Sequence, residues 1–290
     1  MKKRFLSILM ALSLALSLLP TAAFAAEGEG TTLPEVVNGV ITLKQSVSIS
    51  DLSSLFTDET NEIIIDLKGN TLTYTGGTVT LSGEQSLTFK DSTATGSAVG
   101  GTLSAGKVIA NEADNGSQSV FNPMDGASVS AENVSIESNG TIFYPRGDAA
   151  SVTIRNCNIS TTGVYCVGTN ATNPTYYGVE IYLYDSVLSA NNSSTNDNCT
   201  VMINGNSDLA INNCKITGNR QAVLVRAGRA TITDSEITTT GGYHPNYLHH
   251  YVSNTETTDT ADRWFTGNEV PAAALVVGNY VDGTTATYAA

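Results

Sequence analysis

Residues 152–159 read Val152-Thr153-Ile154-Arg155-Asn156-Cys157-Asn158-Ile159. Apolar and polar side chains alternate up to Asn156, then alternate again beyond it. A period of two marks a strand with one wall on a core, so the octet reads as strand, sharp turn, strand. Asn at the corner suits the left-handed backbone that such a turn requires. The same phrase recurs around Gly69, Asp91, Asn133, Asp185, Asn213 and Asp234. Two residues before the seven anchors stand Leu67, Phe89, Ala131, Ile154, Leu183, Ile211 and Ile232. Four before them stand Ile65, Leu87, Val129, Val152, Ile181, Leu209 and Ala230, and three after them Leu72, Ala94, Ile136, Ile159, Leu188, Ile216 and Ile237. The steps between anchors are 22, 42, 23, 29, 28 and 21 residues. The step of 42 is read as two periods, with Val108 and Ala110 before Glu112 as a weaker intermediate copy.

A third apolar run follows each pair: Ile142-Phe143-Tyr144, Tyr165-Cys166-Val167, Val201-Met202-Ile203 and Val223-Leu224-Val225. Three strands in about 22 residues, with no helix between copies, describe a β-solenoid. The expected class is all-β, a single-stranded parallel β-helix with three strands per coil. The handedness of parallel crossovers makes it right-handed. Asp51-Leu52-Ser53-Ser54-Leu55-Phe56 reads as a short helical turn with Asp51 at its N-cap, placed to cover the N-terminal end of the stack.

The first 25 residues stand apart. Lys2, Lys3 and Arg4 precede an apolar run from Phe5 to Leu19, and Ala23-Phe24-Ala25 ends it, the layout of a cleaved secretory signal peptide. Residues 26–39 form a polar, Gly-rich leader expected to be flexible. Residues 40–290 are then one β-helix domain with no linker. Residues 169–177 and 191–198 lengthen two coils, and a long insertion spans 241–269. Residues 271–278 restart a coil that matches 221–226, and the chain stops before that coil is complete. The expectation is a monomer or a fragment of a longer chain, without a transmembrane segment after signal cleavage, and secreted or at the cell surface.

Composition narrows the partners. Without the signal peptide the chain carries 11 Lys and Arg against 27 Asp and Glu, a net charge of −16. Such a surface repels nucleic acid, whose affinity comes from neutralised phosphates. It also repels acidic polysaccharides unless metal ions bridge the two. Only 14% of residues are charged; Thr, Ser, Asn and Gly dominate, as turns between short strands demand.

Four cysteines are present, Cys157, Cys166, Cys199 and Cys214. Export permits disulfides. Cys157 and Cys214 sit one residue after their anchors and two coils apart, roughly 10 Å, beyond disulfide reach. Their column also holds Asn70, Ser92, Val134, Ser186 and Ser235, a slot for small side chains, so they read as buried thiols. A bridge between Cys166 and Cys199 has no support in the pattern, and no Cys-x-x-Cys metal motif occurs.

From Val40 to Val277 the coil phrase, as in Ile154-Arg155-Asn156-Cys157-Asn158-Ile159, resembles the right-handed parallel β-helix family with the pectate-lyase-like fold, in its exported, adhesin-like bacterial form. The resemblance implies architecture. That fold carries lyases, hydrolases, tailspikes and non-catalytic adhesins alike, so it does not select an activity.

Candidate binding residues lie in two places. The 241–269 insertion holds Tyr243, His244, Tyr247, His249, His250, Tyr251 and Trp264, flat aromatic faces suited to sugar rings on a loop borne by a rigid scaffold. The three histidines with Asp259 or Asp262 would make a metal set, but adjacent His249 and His250 lack the i, i+4 spacing such sets use. The alternative is a loop that folds over the solenoid as its own small core. Tyr182 and Tyr184 occupy outward positions beside Tyr176 and Tyr177, either as a binding stripe or as a seat for that insertion.

No catalytic set is expected. A lyase of this fold needs clustered Asp for Ca²⁺ and a basic residue to take a proton. Asp66, Asp91, Asp185 and Asp234 are diluted by Gly69, Asn133, Asn156 and Asn213, and the arginines are scattered. The hydrolase branch would need carboxylate pairs near Gly-His-Gly and Arg-x-Lys, which this chain lacks. Ca²⁺ in the acidic turns has no motif behind it, and no cofactor is implied. The expected function is a non-catalytic extracellular module binding glycan or a cell surface through side loops. Two further readings stand beside it: a polysaccharide-degrading enzyme with a degenerate or missing site, and a structural stalk of a larger surface protein.

Overall fold

The computed structural model describes residues 30–57, 60–111, 119–170, 178–191, 199–219, 221–240, 273–277, 280–281 and 287–288. Three parallel sheets of eight, eight and seven strands wrap one core. The first sheet holds β1 (Val40–Thr42), β3 (Glu62–Asp66), β6 (Ser86–Lys90), β9 (Ser128–Glu132), β12 (Ser151–Arg155), β15 (Val179–Tyr184), β18 (Ser207–Asn212) and β21 (Arg229–Thr233). The second holds β2 (Val47–Ile49), β4 (Thr71–Tyr74), β7 (Lys107–Ala110), β10 (Ser135–Ser138), β13 (Asn158–Thr161), β16 (Val187–Ala190), β19 (Lys215–Gly218) and β22 (Glu236–Thr239). The third holds β5 (Val79–Ser82), β8 (Ser119–Met124), β11 (Thr141–Phe143), β14 (Val167–Gly168), β17 (Cys199–Ile203), β20 (Gln221–Val225) and β23 (Ala273–Val277). Each coil visits the three in turn, giving a right-handed parallel β-helix.

Strands of the first two sheets stack without slippage because most bury every second side chain, and a shift of one residue would turn the apolar set outward. In the first sheet one interior file runs Ile41, Ile65, Phe89, Ala131, Ile154, Leu183, Ile211 and Ile232. Phe89 meets Phe121 at 5.1 Å between ring centroids, and Phe121 meets Phe143 at 5.7 Å, so aromatics from two sheets fill the middle of the stack.

At the corner between first and second sheets, Asn133, Asn156, Asp185, Asn213 and Asp234 all adopt positive φ, between 48° and 54°. Their amides also link coils: Asn156 Nδ2 donates to Asn133 Oδ1 at 2.8 Å, and Asn213 Nδ2 to Asp185 Oδ1 at 2.7 Å. The next residue explains the small-residue column. Cys157 Sγ, Ser186 Oγ, Cys214 Sγ and Ser235 Oγ each bond the carbonyl two residues back. Ser186 and Ser235 also accept from the backbone N–H of Cys157 and Cys214, both at 3.0 Å. All four cysteines are unpaired by disulfides and buried.

Two details of the periodic reading are corrected. First, β7 pairs with β4 and β10, with Val108 in register with Leu72 and Ile136. Val108 and Ala110 therefore belong to the second half of the Asp91 coil, Ala94 has no place in the file, and β6 pairs directly with β9. The 42-residue step is one coil enlarged by an excursion over residues 91–106. That loop crosses two rungs: Asn156 Oδ1 accepts from Ala98 N at 2.9 Å and its amide donates to Gly96 O at 3.3 Å. Second, Ile65, and not Leu67, faces Phe89, because the Gly69 corner has two extra residues. Lys68 and Gly69 both take positive φ there, and Leu67 is buried inside the turn.

At the N-terminal end, Asp51 Oδ1 accepts from Ser53 N at 2.8 Å and Ser54 N at 3.1 Å, fixing a 3₁₀ turn over Ser53–Leu55. Leu52 is fully buried, and Leu33, Val36, Leu55 and Phe56 pack on the core beside it. Gly30 pairs with the backbone of Ser46 and Ser48, so part of the leader joins this cap.

Candidate binding face on the third sheet

Strands β5, β8, β11 and β14 turn alternate side chains away from the core, and the corners beyond them add bulk at the rim. Between the two lies a groove of about 460 Å³ lined by Thr78, Ser119, Asn122, Thr141, Tyr144, Arg146, Val164 and Tyr165. Its floor is organised by hydrogen bonds. Thr78 Oγ1 donates to Ser119 O at 2.7 Å. The Asn122 amide turns its oxygen to Arg146 Nη2 at 3.1 Å and its nitrogen to Phe121 O at 3.3 Å and to Ser119 Oγ. The Arg146 guanidinium also lies 5.7 Å from the Tyr144 ring centroid, within cation–π range. Burial raises the Tyr144 phenol above its ordinary value against the opposing pull of Arg146 and Arg226, so it stays a neutral donor.

Tyr165 closes the other side. Its ring covers Gly168, where a Cβ would come within 2.7 Å of the ring. A side chain at Gly168 would therefore push the ring out of this position. Beyond Tyr165 the outer face becomes apolar and buried, with Cys199, Met202 and Leu224 clustered against Tyr165 and Val276. Burial pushes up the Cys157, Cys166 and Cys214 thiols, Cys157 to about 12, so they sit in the structure as neutral side chains.

Tyr182 and Tyr184 lie on the outer face of the first sheet, on β15. Their rings are 6.3 Å apart and nearly parallel at 5°, and the Arg155 guanidinium sits 4.5 Å from the Tyr184 centroid. Desolvation first, then the Glu180 carboxylate hydrogen-bonded beside it, raises the Tyr182 phenol. One rung on, Arg229 forks onto Asp208 with both bonds at 2.8 Å. The two tyrosines are thus brought together as a ridge, on a different face from the groove. Tyr243, His244, Tyr247, His249, His250, Tyr251 and Trp264 lie outside the described residues. Among the described residues no three His, Cys, Asp or Glu side chains gather as a metal set, and no helix is long and apolar enough to cross a membrane.

Comparison with protein-family models, with curated proteins and with solved structures returned no match. Sequence reasoning missed the groove. Its residues come from four coils, and Asn122, Tyr144 and Arg146 fall outside the repeated phrase. The one local signal is Tyr165-x-x-Gly168, a bulky ring paired with a missing side chain.

Proposed function

We propose that this chain is an exported, non-catalytic, adhesin-like β-helix that holds neutral carbohydrate against the outer face of its third sheet, with the side loops framing the ligand. The groove between Tyr144 and Tyr165 carries this reading. Two aromatic rings offer faces for the C–H side of a pyranose, while hydroxyl, amide and guanidinium groups beside them match sugar hydroxyls in both donor and acceptor sense. Among the described residues no carboxylate lines it, and the negative charge of the whole chain disfavours a polyanionic ligand.

The test is a glycan array followed by calorimetry on the best ligand, using the wild type, Tyr165→Ala, Tyr144→Ala and Trp264→Ala. Loss of one stacking face costs about 1.4 kcal/mol or more, a tenfold weaker Kd. Binding that survives both groove substitutions but fails in Trp264→Ala places the ligand on the 241–269 insertion instead. Release of unsaturated or reducing ends from a polysaccharide would replace this reading with an enzymatic one, and inertness on every panel would favour the stalk.

A further inference from the structure

The outer face of the first sheet gathers a second set of aromatic and polar side chains, and strand register decides how they meet. Tyr182 pairs with Thr153 on β12 and with Ala210 on β18; Tyr184 pairs with Arg155 and Asn212. The Arg155 guanidinium reaches across from the neighbouring strand to lie over the Tyr184 ring, 4.5 Å from its centroid. The plane of that ring therefore runs along β15. Tyr182, 6.3 Å away and parallel at 5°, stands beside it in the same plane. Together the rings make one flat wall, with its back to β12 and its front to β18. On β18 each outward side chain is short or drawn away from that front. Ala210 ends at its methyl group and is only half-buried. Asn212 turns to β21, its Nδ2 donating to Thr233 Oγ1 at 2.6 Å. Asp208 turns the same way, held through both oxygens by Arg229 at 2.8 Å, and the two side chains are 45% and 78% exposed. The result is a trench over β18, with the tyrosines along one side and the exposed Arg229, Thr231 and Thr233 along the other. Its walls stand two rungs apart, roughly 9.6 Å. One ligand layer needs two van der Waals contacts of about 3.5–4.0 Å and a second layer needs three, so the trench takes a single layer.

We infer that this trench is a second carbohydrate site, taking a neutral glycan that lies along β18 with its sugar faces against Tyr182 and Tyr184. Three features select that occupant. The wall offers two apolar faces in one plane, suited to the C–H sides of successive pyranose rings. The charged side chains of β12, β15, β18 and β21 are Arg155, Glu180, Asp208 and Arg229, two of each sign, so the face draws neither an acid nor a base. Its margins also hold donors in Arg229, acceptors in Glu180 and Asp208, and threonine hydroxyls that serve as both. Sugar hydroxyls use both kinds. A proline-rich segment, the other ligand that an aromatic wall suits, has no N–H at each proline and would leave the carboxylates unused. The trench shares no residue with the third-sheet groove, so each site can fail alone.

The experiment is titration calorimetry of the full chain with cellohexaose, mannohexaose, xylohexaose and maltohexaose, with circular dichroism as the folding control. It is run on the wild type and on a background carrying Tyr144→Ala and Tyr165→Ala, which silences the groove. At least one hexasaccharide should bind the groove-silenced chain with a Kd below about 1 mM. On that background Tyr182→Ala and Tyr184→Ala should each weaken binding at least tenfold, and Tyr182→Phe should keep it within about threefold. Ala210→Tyr, which fills the trench and leaves the wall in place, should abolish it. A groove-silenced chain that binds none of the four, or binding indifferent to Ala210→Tyr, would overturn the proposal, and the groove reading would stand wherever the wild type still binds. Preference for a polyproline decapeptide or for hexagalacturonate over every neutral sugar would overturn it as well. Binding that only the trench substitutions remove would uphold this site and sink the groove.

Discussion

Single residues set the corners of this protein. Asp91 sits in the widest one, buried, and its carboxylate accepts from Gly69 N, Gly106 N, Thr93 N and Thr93 Oγ1. Burial alone would raise its pKa, but the hydrogen bonds from Thr93, Gly106 and Gly69 together outweigh it and hold the group below the usual range. A carboxyl whose folded pKa is depressed contributes stability above its unfolded value, about 3.9, and loses it as pH falls through the folded value. Asp91→Asn should therefore lower stability by about 1–3 kcal/mol at neutral pH and flatten the acid limb, as denaturant melts at several pH values will show. Cys157 poses a different problem, since its thiol occupies a slot that serine fills in the next coil. Cys157→Ser should change stability by less than about 1 kcal/mol, because Ser186 shows that a hydroxyl finds the same carbonyl. Cys157→Leu should cost about 1–3 kcal/mol by overpacking, read from the same melts.

At the scale of elements, the 91–106 excursion shows how a coil can nearly double in length without breaking register. Both of its flanking strands pair with neighbours on either side, so the loop leaves and rejoins the stack at fixed points. Gly106 is the rejoining point. A Cβ there would lie 2.6 Å from Leu67 Cβ and 2.7 Å from Asn70 O, both held by the preceding corner. Gly106→Ala should destabilise by about 1–3 kcal/mol, whereas Gly101→Ala, with open space but positive φ of 70°, isolates backbone strain from crowding. Thermal midpoints of the two variants separate these effects. Tyr165 and Gly168 form a similar pair on the third sheet, where the missing side chain is what allows the ring to lie flat.

For the whole molecule, a net charge of −16 over residues 26–290 means that like charges repel along the stack. Screening relieves this, so sodium chloride near molar strength should raise the thermal midpoint over low-salt buffer by roughly 2–4 °C, about 1 kcal/mol for a chain of this size. A midpoint that falls with salt would mean that attractive pairs such as Lys107–Glu137, at 2.7 Å, outweigh the repulsion.

Periodicity alone determined the coil, its three strands, the inward files and the amide-bearing corner, because a rung can stack only if its side chains repeat those of its neighbours at the same positions. The spacing that misplaced Val108 and Ala94 shows the limit of that logic: a step of 42 residues is two coils or one coil with a loop, and only the pairing of β6 with β9 distinguishes them. The groove was beyond sequence reading for a related reason. Tyr144 and Tyr165 stand in third runs of adjoining coils, but Asn122 and Arg146 follow no repeat, so the meeting of the four depends on how many rungs separate them and which way each corner turns. Local alternation is a property of neighbours along the chain; a binding face is a property of neighbours across it, and those are decided when the coils stack.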